Sequence, residues 1–127
     1  MPVRGVRGAT TCAKNSREAI LAATRELLQE IQRANDFKIE DVAAAIFSVT
    51  DDLNAAFPAA AARELGWQDV ALFDCCEIPV PGSLPRCIRV LLLLNCKTRN
   101  KSFRSVYLNG AEVLRPDLTA SKQGVDR

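Results

Sequence analysis

The chain has 127 residues, 48% of them hydrophobic and 25% charged, the composition of one globular domain that can bury about two-thirds of its unfolded surface without staples. Seventeen basic and fifteen acidic side chains leave a net charge of +2, so global charge names no partner. The longest apolar run, Val90 to Leu94, is far too short to cross a membrane.

Residues 3–11 (VRGVRGATT) read as a strand interrupted by Gly5 and Gly8, and glycine inside a strand marks a bulge or a close backbone approach. The clearest helix comes next. Asn15 or Ser16 can cap it, and Glu18 stands three after Asn15 in capping-box position. Ile20, Ala23, Leu27, Ile31 and Ala34 then recur at the helical period until Asn35-Asp36 ends it. Residues 42–50 (VAAAIFSVT) carry three alanines that favour helix, but Ile46, Phe47, Val49 and Thr50, with the stop at Asp51-Asp52, tip the reading to a buried strand. Pro58 opens a second helix over 58–65, with Gly66 just past its end. Residues 68–73 read as a short strand. Pro79, Pro81, Gly82 and Pro85 make 77–86 a loop with little freedom. Residues 87–96 (CIRVLLLLNC) read as a central strand, apolar on both faces except at Arg89. A polar, basic loop or short turn of helix follows at 97–104, then short extended pieces at 105–108 and 111–114 around Asn109-Gly110. The polar tail 119–127 has no periodicity and is expected to be flexible, leaving one domain over 1–118. The order β-α-β-α-β-β-β places the fold as α+β, a mixed β-sheet with helices on one face.

There is no histidine, which excludes Ser-His and Cys-His nucleophiles and the histidine-based zinc motifs. The five cysteines, Cys12, Cys75, Cys76, Cys87 and Cys96, are odd in number and lack CxxC spacing. They fit reduced, mostly buried thiols better than a disulfide framework or a zinc site. The N-terminus lacks the apolar stretch of a secretion signal, so a cytoplasmic protein is expected. No phosphate-cradling loop or acidic metal cluster stands out, and Asp51-Asp52 reads as a turn. No metal is expected. Residues 1–85 carry a balance of −4 and residues 86–127 one of +6. Only Phe103 and Tyr107 interleave with the basic charges and no recognition motif appears, so nucleic acid is not the expected partner.

Three arginines are placed among apolar neighbours: Arg7 between two glycines, Arg89 between Ile88 and Val90, and Arg115 after Val113-Leu114. A guanidinium taken from water requires an anion, from the protein or from a ligand. Glu77, ahead of the proline loop, can pair with an arginine or accept from a ligand hydroxyl, pairing being the commoner outcome. Tyr107 is more often a half-buried core residue than a ligand contact. Phe57 before Pro58 serves as a hydrophobic staple or a pocket wall, the staple being favoured. The residues themselves describe a small anion-binding α+β domain without acid–base machinery.

Four segments carry a family resemblance: RGVRGATT (4–11), FSVTDDLNAAFPAAAARELGW (47–67), PGSLPRCIRVLLL (81–93) and VYLNGAEVLRPDL (106–118). In this order and spacing they resemble the AroH-type, monofunctional chorismate mutases. The resemblance implies a homotrimer, a trimeric pseudo-α/β barrel with active sites in clefts between neighbouring subunits. It implies the pericyclic rearrangement of chorismate to prephenate, on the route to phenylalanine and tyrosine, with no cofactor. Carried onto this sequence, Arg89 should meet the ether oxygen and the side-chain carboxylate, and Arg7 that carboxylate. Tyr107 should offer its phenol to the same region, and Glu77 should accept from the ring hydroxyl. Phe57 and Ala59 should wall the pocket, with Leu114 packing nearby. Arg63 should guide the dianionic substrate from the mouth, and Arg115 should help close the site. Two departures stand out. Asp74 occupies a substrate-contacting position where a cysteine is expected, so its side chain should point away. Ala60 replaces a lysine of some members. The alternatives are a non-catalytic trimer that binds an anionic metabolite, and a Rid-like imine hydrolase on a related fold.

Overall fold

The computed structural model describes residues 2–98 and 102–114. Strand β1 (Val3–Thr11) leads into helix α1 (Arg17–Asn35) and, through a 3-10 turn at Ile39–Asp41, into β2 (Val42–Val49). Helix α2 (Ala59–Glu64), strands β3 (Ala71–Cys76), β4 (Cys87–Asn95) and β5 (Val106–Tyr107), and a 3-10 helix at Asn109–Leu114 complete it. The strands form one mixed sheet in the order β3-β2-β4-β1-β5. β4 is therefore the middle strand, antiparallel to both β1 and β2, while β1–β5 and β2–β3 are parallel.

Ser16 caps α1, its hydroxyl accepting from Ala19 N–H at 3.1 Å. Asn15 is diverted: its Oδ1 accepts from the backbone N–H groups of Asn54 and Ala55, and its amide donates to Asn54 Oδ1. The helix stops at Asp36, which turns left-handed at φ 53°. Its inward stripe of Leu27, Leu28 and Ile31 joins Ala59 and Ala62 of α2 and one face of the sheet, including Val6, Ala45, Phe47, Val90 and Leu92. Gly8 makes this approach possible, because a Cβ there would lie 2.6 Å from Ile31 Cδ1 and 3.2 Å from Leu27 Cδ1. Any side chain would push the helix off the sheet.

Strand alternation sends the intervening residues, among them Arg7, Ile46, Ser48, Phe73, Arg89 and Leu91, to the opposite face. Among the described residues no α-helix packs there, and the 3-10 helix at Asn109–Leu114 covers only the corner at Ala9 and Cys87. Phe73 on that side is 64% exposed.

Three local expectations are corrected. The strand expected at 68–73 lies three residues later, because 68–70 form a turn after the buried Trp67 and pairing with β2 recruits Cys75 and Cys76. Residues 111–114 are not extended; Asn109 at φ 54° starts a 3-10 helix in which Ala111 N–H donates to Leu108 O. Phe57 is no staple, since its ring is 69% exposed. All five cysteines are free thiols; Cys12, Cys87 and Cys96 are buried, Cys75 is half-buried and Cys76 exposed. Burial, reinforced by the neighbouring Cys87, pushes the Cys12 thiol up to about 11. Among the described residues no helix is long and apolar enough to cross a membrane. Arg115 and the tail 119–127 lie outside the described residues.

Candidate functional site

Strand register builds a single row of side chains across the uncovered face. Tyr107 pairs with Ala9, Ala9 with Arg89, Arg89 with Ser48, and Ser48 with Cys75. The next row runs Arg7, Leu91, Ile46 and Phe73. Strands lie about 4.8 Å apart, so Tyr107 and Arg89 stand roughly 10 Å apart with only the methyl of Ala9 between them. That small residue leaves a cavity of about 250 Å³, lined by Arg7, Ala9, Ile46, Ser48, Glu77, Arg89, Leu91 and Tyr107 among others.

Glu77 follows the last residue of β3 and remains tied to β2, its N–H donating to Val49 O at 2.8 Å. Its Oε2 lies 2.9 Å from Arg89 Nε and accepts from Ser48 Oγ at 2.9 Å. The anion required by an arginine on an apolar strand is thus partly supplied by the chain. The pair is not a buried brace: the side chains are 46% and 28% exposed. Pairs this open contribute at most about 1 kcal/mol to stability. Arg89 faces Glu77 as an ion pair through Nε, one of the five N–H groups of a guanidinium, which leaves cationic donor capacity in an open cleft. Such a site can take a small polyanion.

The start of β4, just ahead of Arg89, is pinned by side chains. Asp52 accepts from the Arg86 N–H through both oxygens, at 3.0 and 3.2 Å, and Thr50 Oγ accepts from Cys87 N–H at 2.9 Å. Arg86 itself sits at φ 47° and donates through Nε to Cys12 O. The Thr50 hydroxyl, then the Arg86 N–H, hold the Asp52 carboxyl below the usual carboxylate range. Asp52 therefore anchors a strand as well as marking a turn.

The expected site residues fall into two groups. Arg7, Glu77, Arg89 and Tyr107 line one cleft. Leu114 packs on a small cluster of Ala9, Cys87 and Ala111 that Tyr107 also touches, which puts it at the cleft's margin. Phe57, Ala59, Arg63 and Asp74 are not among its lining. They belong to α2, the segment leading into it and the strand beneath it. Ala59 cannot present its methyl to a pocket of this chain, because the inward face of α2 buries it to 2% exposure in the main core. Asp74 turns away from the cleft, its Oδ1 accepting from Ala59 N–H at 3.1 Å. Pro58, at the cap position of α2, offers no side-chain hydrogen bond, so an acid on a neighbouring strand satisfies the first free N–H instead. Ser48 was not legible as a site residue. Its signal is slight, a lone hydroxyl in an apolar strand on the parity of Ile46.

Burial raises the Asp74 carboxyl above its ordinary value, against the pull of the Ala59 N–H and the Arg63 guanidinium. A carboxyl raised in the folded state stabilises the fold fully below its unfolded pKa, and that contribution is lost as the pH climbs through the folded pKa. Asp74→Asn keeps an acceptor for Ala59 N–H and cannot ionise. Thermal melts across pH should therefore show it matching the wild type in acid and melting higher at neutral pH. A lower melting temperature at neutral pH would mean that the charge, held by Ala59 and Arg63, outweighs its desolvation.

The family model of chorismate mutase type I matches residues 3–118. A chorismate mutase AroH of Thermus thermophilus is 52% identical over 121 residues, covering 94% of this chain and 99% of its own. The chorismate mutase AroH of Bacillus subtilis (strain 168) is 45% identical over 123 residues, covering 96% and 97%. Among solved structures, a chorismate mutase from Clostridium thermocellum has the same fold, with a TM-score of 0.83 at 47% identity over 87% of this chain and 98% of that one.

Proposed function

The chain belongs to the type I chorismate mutases, and on that premise we propose that it rearranges chorismate to prephenate at the cleft of Arg7, Glu77, Arg89 and Tyr107. Membership selects the mutase over the binding-protein and imine-hydrolase readings. The observation that carries the site is Arg89, a cation on the middle strand held by Glu77 in an open cleft.

The reaction breaks one carbon–oxygen bond and forms one carbon–carbon bond within a single molecule. It requires no nucleophile and no proton transfer, in keeping with a chain that has no histidine. The protein's task is to hold the compact conformer in which the enolpyruvyl carbon lies over the ring, which can supply several kcal/mol. As the ether bond breaks, negative charge gathers on its oxygen. Arg89 is placed to meet that charge, and an interaction that strengthens as the barrier is climbed raises the rate and not only the affinity. Tyr107, in the same row, and Arg7, in the next, receive the side-chain carboxylate. Glu77 accepts from the ring hydroxyl. The basic excess of residues 86–127 suits a substrate with two carboxylates in aromatic amino-acid biosynthesis. No cofactor enters the mechanism.

We further propose that the working unit is a homotrimer, a pseudo-α/β barrel in which three sheets turn their uncovered faces inward, in the cytoplasm. Among the described residues no α-helix lies over one face of the sheet, and Phe57, Phe73, Ile78 and Val80 are each more than half exposed. Apolar exposure of this kind marks an association surface. The second group of site residues, Phe57, Arg63 and the backbone around Asp74, then completes the cleft of a neighbouring copy, with Arg115 closing it.

Arg89→Ala should lose at least about 2.7–4 kcal/mol of transition-state stabilisation, the scale of one missing donor to a developing oxyanion. Following chorismate disappearance and prephenate appearance measures it, and a near-normal rate would remove Arg89 from its role. Mixing denatured Arg89→Ala and Arg63→Ala chains and refolding them together should recover activity that neither has alone, since some clefts then contain both intact halves. No recovery from mixed oligomers would contradict a shared site.

A further inference from the structure

We propose that Ser48 is a positioning residue for the reaction: its hydroxyl fixes the Glu77 carboxylate with one oxygen on Arg89 and the other presented to the substrate. The inference rests on the roles of Glu77 and Arg89 proposed above. Ser48 Oγ donates to Glu77 Oε2 at 2.9 Å, the same oxygen that lies 2.9 Å from Arg89 Nε. A hydroxyl carries a single proton, and this one is committed to that oxygen. Ser48 and Arg89 both address Oε2, which makes Oε1 the oxygen presented to a ring hydroxyl.

Glu77 cannot aim itself. Its backbone is tied to Val49, but its side chain has several torsions and the terminal one is broad. Arg89 is a long side chain too, and two flexible groups do not fix each other. Ser48 is short, sits in a strand, and lies directly opposite Arg89 across the β2–β4 pairing. It supplies the reference point that both lack. Without its hydroxyl, the carboxylate is free to swing onto the end of the guanidinium and grip it through both oxygens, the arrangement that arginine and carboxylate prefer. That would occupy the donors needed by the breaking ether bond. The cost therefore falls on the chemical step more than on substrate capture.

Steady-state kinetics of Ser48→Ala, Ser48→Thr, Glu77→Ala and the Ser48→Ala/Glu77→Ala double variant test this. Ser48→Ala should lower kcat about tenfold, on the scale of one charge-assisted hydrogen bond, with KM changed less than about threefold. Ser48→Thr, which keeps a hydroxyl, should restore most of the rate, and Ser48→Ala should add nothing on top of Glu77→Ala. If Ser48→Ala melts below the assay temperature, the isosteric pair Ser48→Thr and Ser48→Val makes the same comparison. A hydroxyl-free variant with wild-type kcat, or one whose full loss persists in the Glu77→Ala background, overturns the inference. Glu77→Ala at the wild-type rate overturns the site reading and the inference with it.

Discussion

A cation on the middle strand of a half-covered sheet sets the terms for everything around it. Ile88 and Val90 are buried under the helices at 0% and 3% exposure, and alternation leaves Arg89 no choice but the opposite face. Covering that face with a helix of the same chain would take Arg89 and Arg7 from water, at a desolvation cost of several kcal/mol per ion. The open face and the anion-binding cleft are therefore one constraint. The residues opposite Arg89 answer to it: Ala9 makes room, and Ser48 and Glu77 hold the guanidinium in place.

Helix α1, the first two strands and the central strand were legible because their signals are local. The spacing of Leu27 and Ile31, the serine before the first turn and the unbroken apolar run around Arg89 each need only near neighbours. What was not legible depends on pairing across the chain. The boundaries of β3 are set by its register against β2, which no composition within 68–76 reveals. The 3-10 helix at Asn109–Leu114 begins from a left-handed asparagine. Ser48 meets Glu77 across 29 positions, and Asp74 meets Ala59 across 15. A glutamate ahead of a proline loop suggested an ion pair with some arginine; only the sheet registers identify Arg89.

The family resemblance named more of the site than residue chemistry alone could, and within one chain the residues it named fall into two groups. In this chain Arg7, Glu77, Arg89 and Tyr107 converge, whereas α2 and Asp74 form a separate unit braced by a strand-to-helix hydrogen bond. Asp74 also illustrates how a departure from the family pattern is absorbed. Its carboxylate is turned toward the Ala59 N–H at the start of α2 and away from the cleft of its own chain, so the residue holds α2 without adding a carboxylate beside Arg89.

The central claim is that Arg89 favours the transition state over the substrate. The most direct measurement is calorimetric binding of chorismate and of a bicyclic dicarboxylate ether that mimics the compact reacting conformer, each to the wild type and to Arg89→Ala. The account predicts that the variant loses roughly a hundredfold or more in affinity for the mimic and far less for chorismate. An equal loss for both would mean that Arg89 only gathers the substrate, and would contradict the account.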